Sequence, residues 1–205
     1  MIAFNNNWEF TPVWNELFAK GEGDAETVRI PHTVKELPLH YIDHKEYQMI
    51  SGYRKSFVLP EEARGSRCFI EFGAAAHIAT VYVNGMELMT HKCGYTAFRV
   101  EFTDVARFGE ENLVTVRLDS TENPEIPPFG YVIDYLTYGG IYRPVYLDIR
   151  NQDLIDDVFV RSVGKDQAKV TVTLDTKTDN YPNLINSITV LALSFVPSFC
   201  ITLEI

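Results

Sequence analysis

A single carboxylate, Asp134, lies in an aromatic-rich stretch that ends in two adjacent glycines, Gly139 and Gly140. Tyr131 and Tyr135 flank this carboxylate. An ionised carboxylate can accept hydrogen bonds from two neighbouring hydroxyl groups, and such charge-assisted bonds are stronger than neutral ones. Tyrosine rings can pack against the apolar face of a sugar ring. The residue types therefore fit a hydroxyl-rich ligand, but a solvated loop aspartate beside core tyrosines would give the same pattern.

No other group of reactive side chains has the spacing of a familiar site. The three cysteines, Cys68, Cys93 and Cys200, are far apart in sequence and form neither a metal-ligand pattern nor a disulfide framework. No glycine-rich loop opens a helix in the manner of a phosphate site. We expect no cofactor and no metal, and we interpret His32 and His91 as structural histidines.

Charge and hydropathy exclude several classes of partner. The 205 residues carry a formal net charge of −10 without any basic run that could neutralise a line of phosphates, so nucleic acid is not expected. No uninterrupted apolar stretch reaches a length of about 18 residues, which a membrane-spanning helix needs. The first residues also lack the cationic start and apolar centre of a secretory signal. We therefore expect a cytoplasmic protein with reduced thiols.

Short alternating strands must position these residues, because helical periodicity is nearly absent and confined to a turn near residues 61–64. Period-two alternation predicts strands at residues 52–59, 67–72, 79–83, 98–102, 113–119 and 143–150. Asn84-Gly85 predicts a two-residue hairpin turn, since both residues tolerate positive φ. Gly139 and Gly140 are predicted to permit positive φ at a sharp turn. Many short strands without helices are typical of a β-sandwich or jelly roll, here over residues 1–150.

Several short motifs, taken in order, resemble the N-terminal sugar-binding domain of glycoside hydrolase family 2, which contains β-galactosidases and β-glucuronidases. The motifs are Ile30-Pro-His-Thr33, Tyr53-Arg-Lys-Ser-Phe57, Val81-Tyr-Val-Asn-Gly85, Gly94-Tyr-Thr-Ala-Phe98 and the segment from Asp134 to Asp148. Cys93 and Ala97 depart from the paired glycines and the proline of the usual family pattern. The resemblance implies a jelly-roll β-sandwich with galactose-binding-domain-like topology.

The same resemblance implies a retaining glycosidase in which two glutamates on a (β/α)₈ barrel act across the glycosidic bond. Such a barrel needs about 250 residues, so we expect the catalytic pair to lie outside this chain. Asp134 precedes Gly140 by six residues. This is the spacing of a family carboxylate that reaches from the leading domain into the active site and binds sugar hydroxyls.

Three further residues are candidate sugar contacts on the same resemblance. Tyr131 and Tyr135 would lie beside the sugar, although packing in the core or against the barrel is an alternative. His40, or its neighbour Tyr41, would occupy a loop position where some family members place an asparagine that also touches the sugar. Asp134, Tyr135, Tyr131 and His40 therefore form the predicted substrate-binding set.

Residues 151–205 are predicted to begin a second domain. Two alternating segments, 154–163 and 168–174, look like the opening hairpin of the immunoglobulin-like sandwich that follows the sugar-binding domain in the family. Such a sandwich needs about 100 residues, and residues 188–205 are nearly free of charge. We therefore expect an incomplete second domain, from a truncated gene product or a late change of reading frame. Exposed strand edges in residues 154–205 would then favour self-association.

Three functions remain open from the sequence. The first is the non-catalytic sugar-binding part of a β-galactosidase-like enzyme of carbohydrate metabolism, with the catalytic barrel and a β-glycoside or monosaccharide as partners. An isolated half-site of this kind would bind sugar in the millimolar range or more weakly. The second is a free-standing carbohydrate-binding module, which would bind glycans more tightly. The third is an assembly domain without an enzymatic role.

Overall fold

The computed structural model describes residues 1–36, 38–41, 43–126, 138–164, 167–176 and 199–204. One compact unit comprises Met1–Arg64 and Cys68–Ile149, and the other comprises Gly65–Arg67 and Arg150–Ile205. The strands and the short α-helix, in chain order, are β1 (Ile2–Ala3), β2 (Trp8–Thr11), α1 (Glu16–Ala19), β3 (Glu26–Val28), β4 (Ile50–Val58), β5 (Arg67–Phe72), β6 (Ile78–Val83), β7 (Met86–Lys92), β8 (Phe98–Glu101), β9 (Glu111–Asp119), β10 (Val145–Arg150), β11 (Leu154–Gly164), β12 (Gln167–Asp175) and β13 (Phe199–Glu204). Short 3₁₀ turns lie at His44–Tyr47, Glu61–Ala63 and Thr103–Val105.

The first unit is built on two sheets. A six-stranded sheet has the order β3-β2-β4-β9-β6-β7, and each of its neighbouring pairs is antiparallel. A four-stranded sheet has the order β1-β10-β5-β8. Strands β4 and β9 form the longest pairing, from Ile50 opposite Asp119 to Val58 opposite Glu111. Strand β9 ends at Asp119, and residues 120–126 follow it directly.

Alternating apolar side chains from both sheets form one core. Strand β9 contributes Val114, Val116 and Leu118, each with 0% of its surface exposed. Strand β5 contributes Ile70 and Phe72 to the same cluster. Residues that alternate along a strand point to the same face of the sheet, so the shared cluster lies between the two sheets. Burial of this apolar surface is the main favourable contribution to folding of the unit.

All six strands that the alternation predicts before residue 151 are present, with ends that differ by at most two residues. The predicted helical turn near residues 61–64 is also confirmed as the 3₁₀ turn after Pro60. The first three strands and α1 are not predicted. Helix α1 begins after Asn15, whose side chain accepts a hydrogen bond from the Phe18 amide at 2.9 Å, and so caps the helix.

The Asn84-Gly85 hairpin prediction is confirmed. These residues join β6 to β7 with φ values of 53° and 81°, as a type I′ turn requires. The Asn84 side chain donates to the Val105 carbonyl at 2.7 Å and accepts from the Leu113 amide at 3.0 Å. It therefore also fixes the turn to neighbouring segments.

The second unit contains the predicted hairpin. Strands β11 and β12 are antiparallel, and β13 pairs with β12 in the parallel direction, giving the order β11-β12-β13. Val172 and Leu174 on β12 are buried in a small apolar cluster. On β11, Val158, Phe159 and Val160 are 45%, 58% and 58% exposed.

Candidate functional site

The segment that carries Tyr131, Asp134 and Tyr135 begins and ends on a group of packed backbone stretches. We call this group, residues 32–34, 76–77, 119–120 and 139–141, the base. The three predicted site residues themselves lie outside the described residues. The segment begins after Ser120, which directly follows β9, and it returns at Gly139. A Cβ added to Gly139 would lie 2.5 Å from the Ser120 Cβ. Ser120 and Gly139, where the segment begins and returns, therefore lie beside each other.

Gly140 packs against backbone on two sides. Its amide donates to the Ala76 carbonyl at 3.3 Å and its carbonyl accepts from the Ala76 amide at 3.0 Å. An added Cβ would lie 2.3 Å from the His32 carbonyl oxygen, and φ is +129°. The predicted need for positive φ is thus confirmed at Gly140. At Gly139 it is wrong, since the lack of a side chain there serves the close approach to Ser120 instead.

Residues 32–34 form the other side of this base. The His32 amide donates to the Ile141 carbonyl at 2.9 Å, and the Val34 amide donates to the Gly139 carbonyl at 3.0 Å. The His32 Nδ1 lies 2.8 Å from the Tyr53 hydroxyl, and its ring packs against Phe10 with centroids 4.9 Å apart. These contacts confirm a structural role for His32.

Burial controls the protonation of this histidine–tyrosine pair. Loss of solvation lowers the pKa of His32, while the charge of Glu26 acts in the opposite direction. Burial also raises the pKa of Tyr53, against a smaller effect from its hydrogen bond with the Ile141 backbone. The pair is therefore a neutral hydrogen-bonded contact that supports the backbone at residue 141.

Ser120 joins the base to a neighbouring loop. Its Oγ lies 2.8 Å from the Tyr47 carbonyl oxygen and accepts a hydrogen bond from the Met49 amide at 3.2 Å. The Tyr47 hydroxyl in turn donates to the Glu36 carbonyl at 3.2 Å. Through these contacts, the start of the segment and the loop of residues 35–48 share one support.

His40 lies on this loop and is exposed. Its ring centroid is 6.4 Å from that of Tyr41, which is 99% exposed and has a φ of 62°. Leu39 is 95% exposed. The loop therefore presents large side chains to solvent.

His77 is a residue of this base that sequence reasoning missed. Its amide donates to the Asp119 carbonyl at 3.1 Å. Its Nε2 is buried and has no hydrogen-bond partner among the described residues. Such an atom costs about 1–3 kcal/mol. Burial lowers the pKa of His77, while the charges of Asp119 and Glu122 oppose this effect.

The turn after β7 packs on the same base. A Cβ added to Gly94 would lie 3.3 Å from the Ala76 Cβ, and the Tyr142 hydroxyl donates to the Gly94 carbonyl. His91 stacks on Phe98 with centroids 4.3 Å apart, and its Nε2 lies 3.0 Å from the Thr96 Oγ1. The structural interpretation of His91 is therefore confirmed.

The described part of the chain places no group of three or more His, Cys, Asp or Glu side chains where they could hold a metal ion. Among the same residues, no helix is long and apolar enough to cross a membrane. Cys68 and Cys93 are free thiols.

Comparison with known proteins identifies the domain. Residues 27–150 match the model of the glycosyl hydrolases family 2 sugar binding domain. The chain belongs to glycosyl hydrolase family 2. The matched residues include four residues of the base, His32, His77, Ser120 and Gly140.

Curated relatives of this family 2 domain are longer enzymes. It is 42% identical over 166 residues to a β-galactosidase of Thermoanaerobacterium thermosulfurigenes, covering 80% of this chain and 22% of the relative. It is 35% identical over 165 residues to a β-glucuronidase of Bacteroides fragilis, again covering 80% and 22%. The chain thus spans less than a quarter of the length of these relatives.

A solved structure of a β-glucuronidase from Ruminococcus gnavus in complex with D-glucuronic acid is similar in fold. The TM-score is 0.72 at 24% identity, covering 85% of this chain and 34% of that one. The predicted all-β architecture with a leading sandwich is confirmed by this likeness and by the sheets described above.

Proposed function

We propose that the chain is the substrate-binding N-terminal part of a β-galactosidase-like glycosidase. The match of residues 27–150 to the family 2 sugar-binding domain carries this proposal. The relative at 42% identity, a β-galactosidase, favours a galactoside as substrate. The β-glucuronidase at 35% identity keeps a glucuronide as the second candidate.

In this proposal Asp134 supplies hydrogen bonds rather than the bond-breaking step. Its carboxylate accepts from two adjacent sugar hydroxyls, and Tyr131, Tyr135 and His40 complete one wall of the pocket. The base at Ser120 and Gly140 supports this assignment because it holds both ends of the segment in place. Two glutamates in the remainder of the enzyme would perform a retaining displacement.

Titration of the isolated chain with galactose and with glucuronate tests the proposal. Saturation-transfer NMR should detect binding with Kd in the millimolar range, because one wall of a pocket buries little of the ligand. We expect Asp134→Ala to abolish the signal and Asp134→Asn to weaken it, while Asp24→Ala, at an exposed loop aspartate, leaves it unchanged. Equal binding by wild type and Asp134→Ala would contradict the role of Asp134.

Complementation tests the proposed partner. The part of the Thermoanaerobacterium β-galactosidase that follows its match to this chain would be added in trans to residues 1–205. We expect hydrolysis of a chromogenic galactoside to depend on both parts and on Asp134. Micromolar binding on a glycan array by this chain alone, without complementation, would instead support a free-standing carbohydrate-binding module.

We further propose that residues 151–205 form the opening part of an immunoglobulin-like domain and mediate self-association when no further domain covers them. Three consecutive apolar side chains, Val158, Phe159 and Val160, are exposed on β11, and β11 is an outer strand of its sheet. Light scattering should show a dimer or larger species for residues 1–205 and a monomer for residues 1–150. A monomer in both cases would contradict the assignment.

Finally, we propose a cytoplasmic location. The free thiols of Cys68 and Cys93 suit a reducing compartment. Fractionation of the source cells, with antibodies against the chain, should recover it with cytoplasmic markers, and recovery from the culture medium would contradict this.

A further inference from the structure

The turn between β6 and β7 carries the single Asn-Gly dipeptide of the sequence, Asn84-Gly85. An asparagine followed by glycine is open to a reaction within the chain. The backbone nitrogen of the glycine attacks the asparagine Cγ and closes a succinimide ring, while the Cγ–Nδ2 bond breaks and ammonia leaves with the amide proton. Water then opens the ring to aspartate or to isoaspartate. Glycine favours ring closure because no side chain hinders its nitrogen.

The fold holds the Asn84 side chain by hydrogen bonds at both of its polar atoms. Its Nδ2 donates to the Val105 carbonyl at 2.7 Å and to the Asn112 Oδ1 at 3.0 Å. Its Oδ1 accepts from the Leu113 amide at 3.0 Å. The Asn84 amide also donates to the Leu113 carbonyl at 2.8 Å. Both the side chain and the backbone of Asn84 are therefore attached to β9.

Asn112, the side-chain partner on β9, is itself fixed and is 0% exposed. Its Oδ1 accepts from the Arg107 amide at 2.8 Å, and its Nδ2 donates to the carbonyls of Arg107 and Glu110 at 2.7 and 3.3 Å. The atom that it turns toward residue 84 is therefore an acceptor. A carboxylate at position 84 would offer it no donor.

These contacts oppose ring closure in the native protein. The Asn84 amide would have to rotate until its Cγ faces the Gly85 nitrogen, and the planar Cγ would have to become tetrahedral. Both changes break the three side-chain hydrogen bonds, and three bonds of ordinary net strength correspond together to an about hundredfold slower reaction. An unfolded chain has none of these bonds. The reaction is therefore expected to follow unfolding.

We infer that Asn84-Gly85 is a modification site that is latent in the native protein: it deamidates when the first unit unfolds, and its product cannot rebuild the turn. An aspartate at position 84 would place a third acceptor between the Val105 carbonyl and the Asn112 Oδ1. Isoaspartate would also add a backbone carbon to a turn that requires φ values of 53° and 81°. Deamidation thus makes a reversible unfolding event permanent.

The rate of deamidation of residues 1–205, in buffer and in guanidinium chloride at the same mildly alkaline pH, tests the protection. Peptide mass spectrometry and isoaspartate methyltransferase would detect the products at residues 84–85. We expect the native rate to be at least about a hundredfold lower than the rate in denaturant. Gly85→Ala in denaturant is the control for the chemistry and should react at least about tenfold more slowly than wild type, because its methyl group hinders ring closure. Equal rates for wild type in buffer and in denaturant would overturn the inference, and so would a slow reaction in both.

Asn84→Asp reproduces one product without the reaction. We expect it to raise the equilibrium constant for unfolding at least about tenfold, because Val105 and Asn112 lose their shared donor. The matched control is Asn7→Asp, at an exposed asparagine that also has positive φ, at 55°. This variant should change the constant by no more than about threefold. Wild-type stability in Asn84→Asp would overturn the inference.

Refolding of the modified wild-type chain completes the test and does not depend on whether Asn84→Asp folds. Wild type held in denaturant for increasing times should refold with a yield that falls as the modified fraction rises. The chain of Gly85→Ala, held for the same times, should keep its initial yield. Full refolding of the deamidated chain would show that the turn tolerates the product, which would also overturn the inference.

Discussion

Replacing Gly140 with alanine tests whether close backbone contact, as well as conformation, fixes the return of the segment. Gly140 has φ of +129°, where a residue other than glycine costs about 1–3 kcal/mol. The new Cβ would also lie 2.3 Å from the His32 carbonyl oxygen and 2.9 Å from the Thr33 Cα. Because both neighbours are backbone, the chain must shift, and loss of two hydrogen bonds with Ala76 adds about 1 kcal/mol each. We expect the free energy of unfolding to fall by about 3–5 kcal/mol.

Gly85→Ala is the matched control. Gly85 also has positive φ, at +81°, but an added Cβ would meet nothing within 4 Å. Only the conformational cost applies, about 1–2 kcal/mol. The difference between the two variants, about 2–3 kcal/mol, therefore measures the cost of the close contact with residues 32–33, including the loss of the two hydrogen bonds with Ala76 that this contact causes.

Urea unfolding followed by tryptophan fluorescence is the assay. Both tryptophans, Trp8 and Trp14, lie in the first unit, so the signal reports on the sandwich. With a denaturant dependence of about 2 kcal/mol per molar urea, the midpoint should fall by about 1.5–2.5 M for Gly140→Ala and about 0.5–1 M for Gly85→Ala. Equal midpoints for the two variants would refute the close-contact argument.

Three further predictions concern other parts of the first unit. Arg54 donates to three backbone carbonyls around α1, and lysine cannot reproduce these bonds. We expect Arg54→Lys to speed tryptic cleavage after the exposed Lys20 at least about fivefold. Unchanged cleavage would contradict the role of Arg54. Hydrogen bonding lowers the pKa of Cys93, whereas burial raises the pKa of Cys68 to about 11. Iodoacetamide should therefore modify Cys93 before Cys68, as peptide mass spectrometry would show, and equal rates at these two cysteines would count against this. Burial lowers the pKa of His32, so the unfolded chain binds this proton more readily and stability falls as pH decreases through about 6.5. His32→Gln should flatten the loss of urea midpoint between about pH 7 and 5, and an unchanged slope would argue against it.

The strands that could be predicted are those in which apolar side chains facing the core alternate with polar side chains on the opposite face of the sheet. Strand β9 buries Val114, Val116 and Leu118, and these alternate with the polar residues Thr115, Arg117 and Asp119. The pattern is therefore visible in the sequence. Strand β2 has only four residues and β3 has two exposed residues out of three. Both exist because β4 offers hydrogen-bonding partners to β2, which in turn pairs with β3. Such pairing depends on tertiary context, which a local pattern does not contain.

The candidate site likewise contains some residues that the sequence could predict and others that it could not. Asp134 and Gly140 stand out by type and spacing, because a lone carboxylate and a paired glycine each have a local physical reason. Ser120 and His77 have no such local reason, because their hydrogen-bond partners are distant in sequence. The Ser120 hydroxyl, for example, bonds to the carbonyls of Tyr47 and Met49. A histidine that follows three alanines, residues 74–76, was the one available sign of tight packing, and it is too common to identify a site alone.

The base of the site is made by backbone segments that approach without intervening side chains. A Cβ would lie 2.9 Å from the Arg143 Cβ at Gly73, 3.3 Å from the Ala76 Cβ at Gly94, and 2.5 Å from the Ser120 Cβ at Gly139. Contacts this close leave little room for movement, because displacement of one segment must displace its neighbours. The close contacts at Gly73, Gly94 and Gly139 therefore hold Ser120 and Gly139, the described residues at the two ends of the segment that carries Asp134, beside each other.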